Sequence, residues 1–149
     1  MHAMEISRTA LDVEWKRLEI ISENIANANV AGPTKGGSYR ELHLISAPKN
    51  DFSALLDPKN PQTGAIDIDK LAGVEVLGVE AGSAPPRMVR EPGNPQADAS
   101  GFVAYPNIDQ AAQMSDMIRA SRAYEANIVA MSSERDAYSK ALQLGDRHD

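Results

Sequence analysis

The sequence predicts a mainly α fold with a small β region. Long N- and C-terminal helices pair as an antiparallel coiled-coil-like unit, and between them lies a short-stranded, loop-rich middle. Three observations predict this. All nine prolines and nine of the ten glycines fall between Gly32 and Pro106. The first 31 residues, and Asn107 to Leu144, contain neither. Both breaker-free ends carry apolar residues at helical spacing. A helix interior loses about 3 kcal/mol to a proline and about 1 to a glycine, so long helices are confined to the ends. The division that follows is 1–31 for a first assembly helix, 32–106 for a small β or loop domain, and 107–149 for a last assembly helix and tail.

The first helix is expected from Glu5 to Asn27. Met4, Leu11, Leu18 and Ile25 recur every seven residues, flanked by Trp15, Ile21 and Ala28, as one apolar stripe. Asp12 and Lys16 are spaced as an i,i+4 ion pair. The exit Asn27-Ala-Asn-Val-Ala-Gly-Pro33 combines residues that tolerate left-handed backbone with a proline that blocks continuation.

Four short strands are expected in the middle. Tyr39 to Ser46 alternates, with Leu42 and Leu44 on one face and His43 and Ile45 on the other. Val74, Val76 and Val79 mark a second strand between Gly73 and Gly82. Arg87 to Glu91 and Phe102 to Tyr105 supply the third and fourth. Asn50 to Gly64 is polar and turn-rich, and is expected to be partly disordered.

The last helix is expected from Asp109 to Leu144, with Asn107 or Asp109 as its cap. Met114, Met117, Ser121, Tyr124, Ile128, Met131, Arg135, Tyr138 and Leu142 follow a 3,4 spacing over four heptads. Such a run predicts a coiled-coil seam. At 1.5 Å per residue this helix is about 54 Å long, more than a small body can cover. Part of its stripe is therefore expected to meet the first helix or another chain. Ser121 and Arg135 interrupt the seam. Arg135 either fixes register or lies where the seam frays, its head in water.

Composition narrows the function. With two Phe, one Trp and four Tyr, the core must rest on aliphatic residues. A net charge of −6 without any basic run argues against nucleic-acid binding. No cysteine exists, which excludes disulfides and thiolate chemistry. No run of about 18 apolar residues is present, so no membrane insertion is expected. The charged N-terminus does not read as a cleaved signal peptide.

The candidate sites dissolve on inspection. His2, His43 and His148 lack a second ligand at helical spacing, so no metal or other cofactor is expected. Gly32-Pro-Thr-Lys-Gly-Gly-Ser38 lacks the order of a phosphate loop and follows a helix. Asp67-Ile-Asp69 begins like a calcium loop, but Leu71 stands at the third ligand position. No nucleophile–base set or carboxylate pair can be picked out, so no enzymatic activity is expected.

Three segments then converge. Ser22-Glu-Asn-Ile-Ala-Asn-Ala-Asn29, followed by Gly36-Gly-Ser-Tyr-Arg40, resembles the N-terminal signature of bacterial flagellar rod and hook (axial) proteins. Arg119-Ala-Ser-Arg-Ala-Tyr-Glu-Ala-Asn127 resembles their C-terminal helix. Glu91 to Asn107 resembles the stretch that marks the proximal rod members. Val30 departs from the threonine common after the asparagine. The resemblance implies a non-catalytic structural subunit of the flagellar basal body. It would be exported by the flagellar type III apparatus without a cleaved signal, and would assemble helically in the cell envelope with other rod proteins and copies of itself. The expected assembly surface is Leu11, Trp15, Leu18, Ile21, Asn24, Ile25 and Asn27 on the first helix. On the last it is Met117, Tyr124, Asn127, Ile128, Met131, Tyr138 and Leu142. The asparagines fit intersubunit hydrogen bonding. Alternatively, Asn27 and Asn29 only close the helix and Asn127 faces water. The competing class is a small soluble enzyme or ligand-binding domain, or another rod or hook subunit.

Overall fold

The computed structural model describes residues 2–49 and 72–145. Pro58, Pro61, the Asp67–Asp69 loop, His148 and the segment expected to be disordered lie outside the described residues. The order of elements is α1 (His2–Asn27), β1 (Leu42–Pro48), β2 (Val74–Ala81), β3 (Arg87–Arg90), β4 (Phe102–Tyr105) and α2 (Gln110–Gly145). The two breaker-free ends are thus the two helices. β1 starts three residues later than expected, at Leu42, while β4 matches its expected bounds.

The strands form two two-stranded sheets, β1–β2 and β3–β4. Gly82 N–H donates to Glu41 C=O at one end of the first sheet, and Lys49 N–H to Gly73 C=O at the other. These strands therefore run antiparallel. In the second sheet Arg87 pairs with Tyr105 and Arg90 with Phe102, also antiparallel. On its other side β4 is bridged by Gly32, whose N–H and C=O both bond to Ala104. A side chain at Gly32 would strike the backbone of Gly37 and Ser38.

The chain divides into two compact units. The first comprises residues 1–15, 46–77 and 122–149. Here Ser7 meets Glu134 and Trp15 meets Tyr124, so the helices run antiparallel. Ser7, Thr9 and Val13 are buried. Thr9 ties α1 to the start of β2: its Oγ1 donates to Ile6 C=O (2.8 Å) and accepts from Val74 N–H (3.1 Å). Beside it, Gly73 has φ +85°, a conformation that disfavours any side chain.

The second unit comprises residues 16–45 and 78–121. Its core holds Ile20, Ile21, Asn24, Ala28, Val103, Ala104, Pro106, Gln113 and Ala120. Asp109 caps α2, its Oδ1 accepting from the N–H groups of Ala111 (2.9 Å) and Ala112 (3.1 Å). The expected Asp12–Lys16 pair is replaced. Arg8 reaches Asp12, and Lys16 binds Glu19.

Candidate functional site: helix faces and an asparagine hub

The stripes of both helices are turned relative to the sequence expectation. On α1 the row Met4, Leu11, Leu18, Ile25 is only half-buried, whereas Thr9, Val13, Ile20, Ile21 and Asn24 are buried. In the first unit the reason is visible: α1 has neighbours on two sides, β2 at Thr9 and α2 at Ser7 and Trp15. An apolar stripe read from sequence overlooks a face that is partly polar.

On α2 one enclosed row is Gln113, Met117, Ala120, Tyr124, Asn127, Met131 and Glu134, spaced by four and three, with Asp116, Ser121 and Ala123 also half-buried. This register shares Met117, Tyr124 and Met131 with the expected one. In place of the exposed Met114, Ile128 and Arg135 it holds Gln113, Asn127 and Glu134, and Ala120 is buried next to a half-buried Ser121. Met114, Ile118, Ile128 and Val129 consequently stand exposed. The expected seam is corrected by one residue at every second position. At the start of the helix the cause is specific pairing, since buried Gln113 bonds to Asn24; farther along, Glu134 Oε1 accepts from Ser7 Oγ at 3.4 Å while its Oε2 is buried without a hydrogen-bond partner. A buried polar group with a partner outweighs the small gain from burying a further aliphatic one.

Tyr138, Leu142 and Leu144 are exposed for another reason. Opposite the Ser7–Glu134 contact, α1 has five residues left to His2, whereas α2 runs eleven more to Gly145. The last helix outlasts its neighbour by about 9 Å at 1.5 Å per residue. Arg135 is exposed and pairs with Asp136.

Within the signature stretch, Asn24 is 1 % exposed and makes four hydrogen bonds. Its Oδ1 accepts from Leu42 N–H and from Tyr39 Oη, each at 2.9 Å. Its Nδ2 donates to Leu42 C=O (2.9 Å) and to Gln113 Oε1 (3.1 Å). Both donors and both acceptor sites of the amide are used. Toward Leu42 the side chain acts as a neighbouring strand would, taking both backbone groups of one residue. Gln113 continues the network, its Nε2 donating to Glu41 Oε1 (2.8 Å). Burial, aided by the charges of Glu23 and Glu41, pushes the Tyr39 phenol up, which keeps the proton it donates to Asn24. Asn24, expected at a subunit interface, spends its amide wholly within its own chain.

The other asparagines turn to their own helices. Asn27 Nδ2 donates to Glu23 C=O (2.8 Å), one turn back in its own helix. Asn127 Nδ2 likewise donates to Ala123 C=O (2.9 Å). Of the remaining expected positions, Ile21 is buried. Leu11, Leu18, Ile25, Met117, Tyr124 and Met131 are half-buried. Trp15 is exposed, its ring centroid 6.1 Å from that of Tyr124.

The Glu91–Gly101 connection between β3 and β4 is a closed turn. Glu91 N–H donates to Gly101 C=O, Asn94 N–H to Glu91 C=O, and Ala97 N–H to Asn94 C=O. Tyr105 Oη donates to the Glu91 carboxylate at 3.1 Å. Asp98 Oδ1 accepts from the N–H groups of Ser100 (2.8 Å) and Phe102 (3.0 Å). The Phe102 bond is the main cause that holds the Asp98 carboxyl below its ordinary value. Ser100, Thr34 and Gly101 add to it, and burial opposes it. A depressed acid stabilises this turn above its unfolded-state pKa, and the contribution is lost as pH falls through the folded value. In an NMR titration the Asp98 carboxyl should show a midpoint below the usual aspartate range, with the Ser100 and Phe102 amides following it. An ordinary midpoint would contradict this account of the turn.

The comparisons with known proteins point the same way. Residues 4–34 match the family model described as flagella basal body rod protein. Residues 99–144 match the one described as flagellar basal body rod FlgEFG protein C-terminal. The chain is 34 % identical over 146 residues to the flagellar basal-body rod protein FlgC of Salmonella typhimurium, covering 97 % of each chain. It is 32 % identical to that of Borreliella burgdorferi, covering 95 % of each. With the Bacillus subtilis protein of the same name it shares 28 % identity, again over 97 % of each. With one end built around the Asn24 signature, the other as a two-faced helix, and relatives matched along nearly their whole length, the chain belongs to the FlgC family of flagellar basal-body rod proteins.

Proposed function

We propose that this structural rod subunit is built into the proximal rod through the outward faces of its terminal helices. There it packs against other rod proteins and copies of itself, and helps couple motor to hook. One observation carries the reading. α2 encloses Gln113 and Asn127 while turning Met114, Ile118, Ile128 and Val129 outward. Exposed aliphatic side chains lose little by meeting water singly, but close pairs such as Met114 with Ile118 and Ile128 with Val129 favour burial against a partner. The expected surface is thereby redrawn. Ile21 and Asn24 support the face from within, Ile128 lies on it, and Met114, Ile118 and Val129 join it, while Trp15, Tyr138 and Leu142 are exposed elsewhere.

Such a face meets a different face on the next subunit, and heterologous contacts of this kind extend as open helical assemblies. The subunit acts by shape and burial, without catalysis. Among the described residues no helix is long and apolar enough to cross a membrane. We assign its passage to the rod to the flagellar type III apparatus.

The test is incorporation of tagged protein into purified basal bodies. The wild-type chain should co-purify with them. Ile118→Glu combined with Val129→Glu should retain its helical circular dichroism and its unfolding midpoint, because both side chains are already solvated. It should nevertheless be absent from basal bodies and fail to restore motility. Normal incorporation of the double variant would refute the face.

A further inference from the structure

We propose that Met114 is an oxidation site of the free subunit, and that its conversion to the sulfoxide by a peroxide blocks assembly. The inference rests on the assembly face proposed above. The described methionines differ sharply in access. Met114 is 54 % exposed and Met88 46 %, whereas Met4, Met117 and Met131 are half-buried. Thioether oxidation follows access of the oxidant to sulfur, so Met114 and Met88 react first.

Only one of these two lies where the product matters. Met114 is one turn from Ile118 on the outward side of α2, and both are exposed. Met88 lies on β3, where it is paired in register with Ala104. In the reaction the peroxide transfers one oxygen atom to Sδ. The sulfur lone pair forms the new S–O bond, the O–O bond breaks, and water leaves when the oxidant is hydrogen peroxide. Sulfur loses two electrons and the peroxide gains them.

The sulfoxide carries a strong, fixed acceptor. In the free subunit that oxygen faces water and leaves the fold intact. Under a neighbouring helix it is desolvated, and burying a polar group without a partner costs about 1–3 kcal/mol. That corresponds to a fall in affinity of about fivefold to 150-fold. Once assembled, the same sulfur is covered, so the reaction discriminates free subunits from built ones.

The experiment uses the full-length chain, hydrogen peroxide and purified rod subunits, including a second preparation of this chain. Peptide mass mapping should show a gain of one oxygen at Met114 and Met88 well before Met4, Met117 or Met131. The treated wild-type chain should bind at least about fivefold more weakly than the untreated one. Peroxide should leave the binding of Met114→Leu at that variant's own untreated level, and treated Met88→Leu should stay impaired. Full oxidation of Met114 with unchanged binding overturns the oxidation proposal and leaves the assembly reading standing. So does Met114 resisting peroxide while the half-buried methionines react. Failure of the untreated chain to bind any rod subunit overturns both.

Discussion

Replacing Asn24 with alanine is expected to destabilise the chain by about 3–4 kcal/mol, because buried polar partners are left behind rather than one contact removed. Four groups lose their partner at once: the N–H and C=O of Leu42, the Gln113 amide oxygen, and the Tyr39 hydroxyl. Tyr39 is half-buried and can turn to water, but Gln113 is only 6 % exposed. Asn24→Leu preserves volume, yet it should be no better than alanine, because the loss is of hydrogen bonds. Urea unfolding would give the energy, and faster amide exchange at Leu42 would localise it. If Asn24→Leu falls within about 1 kcal/mol of wild type, the hub is not a major contributor.

Asn24→Asp sharpens the argument by adding a sign. It keeps the two acceptors and loses both donors, and it sets a carboxylate against Leu42 C=O and Gln113 Oε1. The charged form is disfavoured in the folded chain, which raises the folded-state pKa above the unfolded value. The variant is then least impaired below the unfolded-state value and loses stability as pH rises through the folded one. Its deficit against wild type should therefore be larger at pH 7 than at pH 4. A deficit that does not change with pH would contradict the bonding pattern.

The second large effect is expected at Gly73. A Cβ there would fall on Thr9 Oγ1 and lie 3.4 Å from Ile6 Cα, on a backbone with φ +85°. The left-handed conformation alone disfavours an L side chain by about 1–2 kcal/mol. Displacing Thr9 also breaks its bonds to Ile6 C=O and Val74 N–H, for a total of about 2–4 kcal/mol. Combining Gly73→Ala with Thr9→Ala separates the parts. Thr9→Ala removes the obstacle and the bridge but leaves the backbone term, so the double variant should cost less than the two single ones added together. Strict additivity in a urea-unfolding cycle would show that Gly73 and Thr9 do not share a site.

How much of this was legible beforehand depends on the kind of signal. The breaker map placed both helices and β4 because proline and glycine act locally, within a turn or two of themselves. Asp109 was legible as a cap for the same reason, since the bonds it satisfies lie two and three residues away. The outward row on α2 was only half legible. A 3,4 spacing identifies a helix with an apolar side, but two registers share Met117, Tyr124 and Met131. Choosing between them required knowing that Asn24 and Ser7 lie opposite Gln113 and Glu134. The asparagine hub was visible as a family signature while its partner remained hidden. Leu42 is 18 residues away and Gln113 is 89, and no local rule connects them.

By itself, then, the order of residues determined where helix can and cannot persist, and kinship with the flagellar rod proteins. These are properties of short windows, set by backbone sterics, side-chain type and recognisable spacing. Only the tertiary structure decided which side of each helix is spent inward. That choice turns on a few desolvated amides and carboxylates whose partners come from distant parts of the chain. An unpaired polar group inside costs more than an aliphatic one left outside, so Gln113 and Asn24 turned inward and Met114 and Ile118 were left facing out.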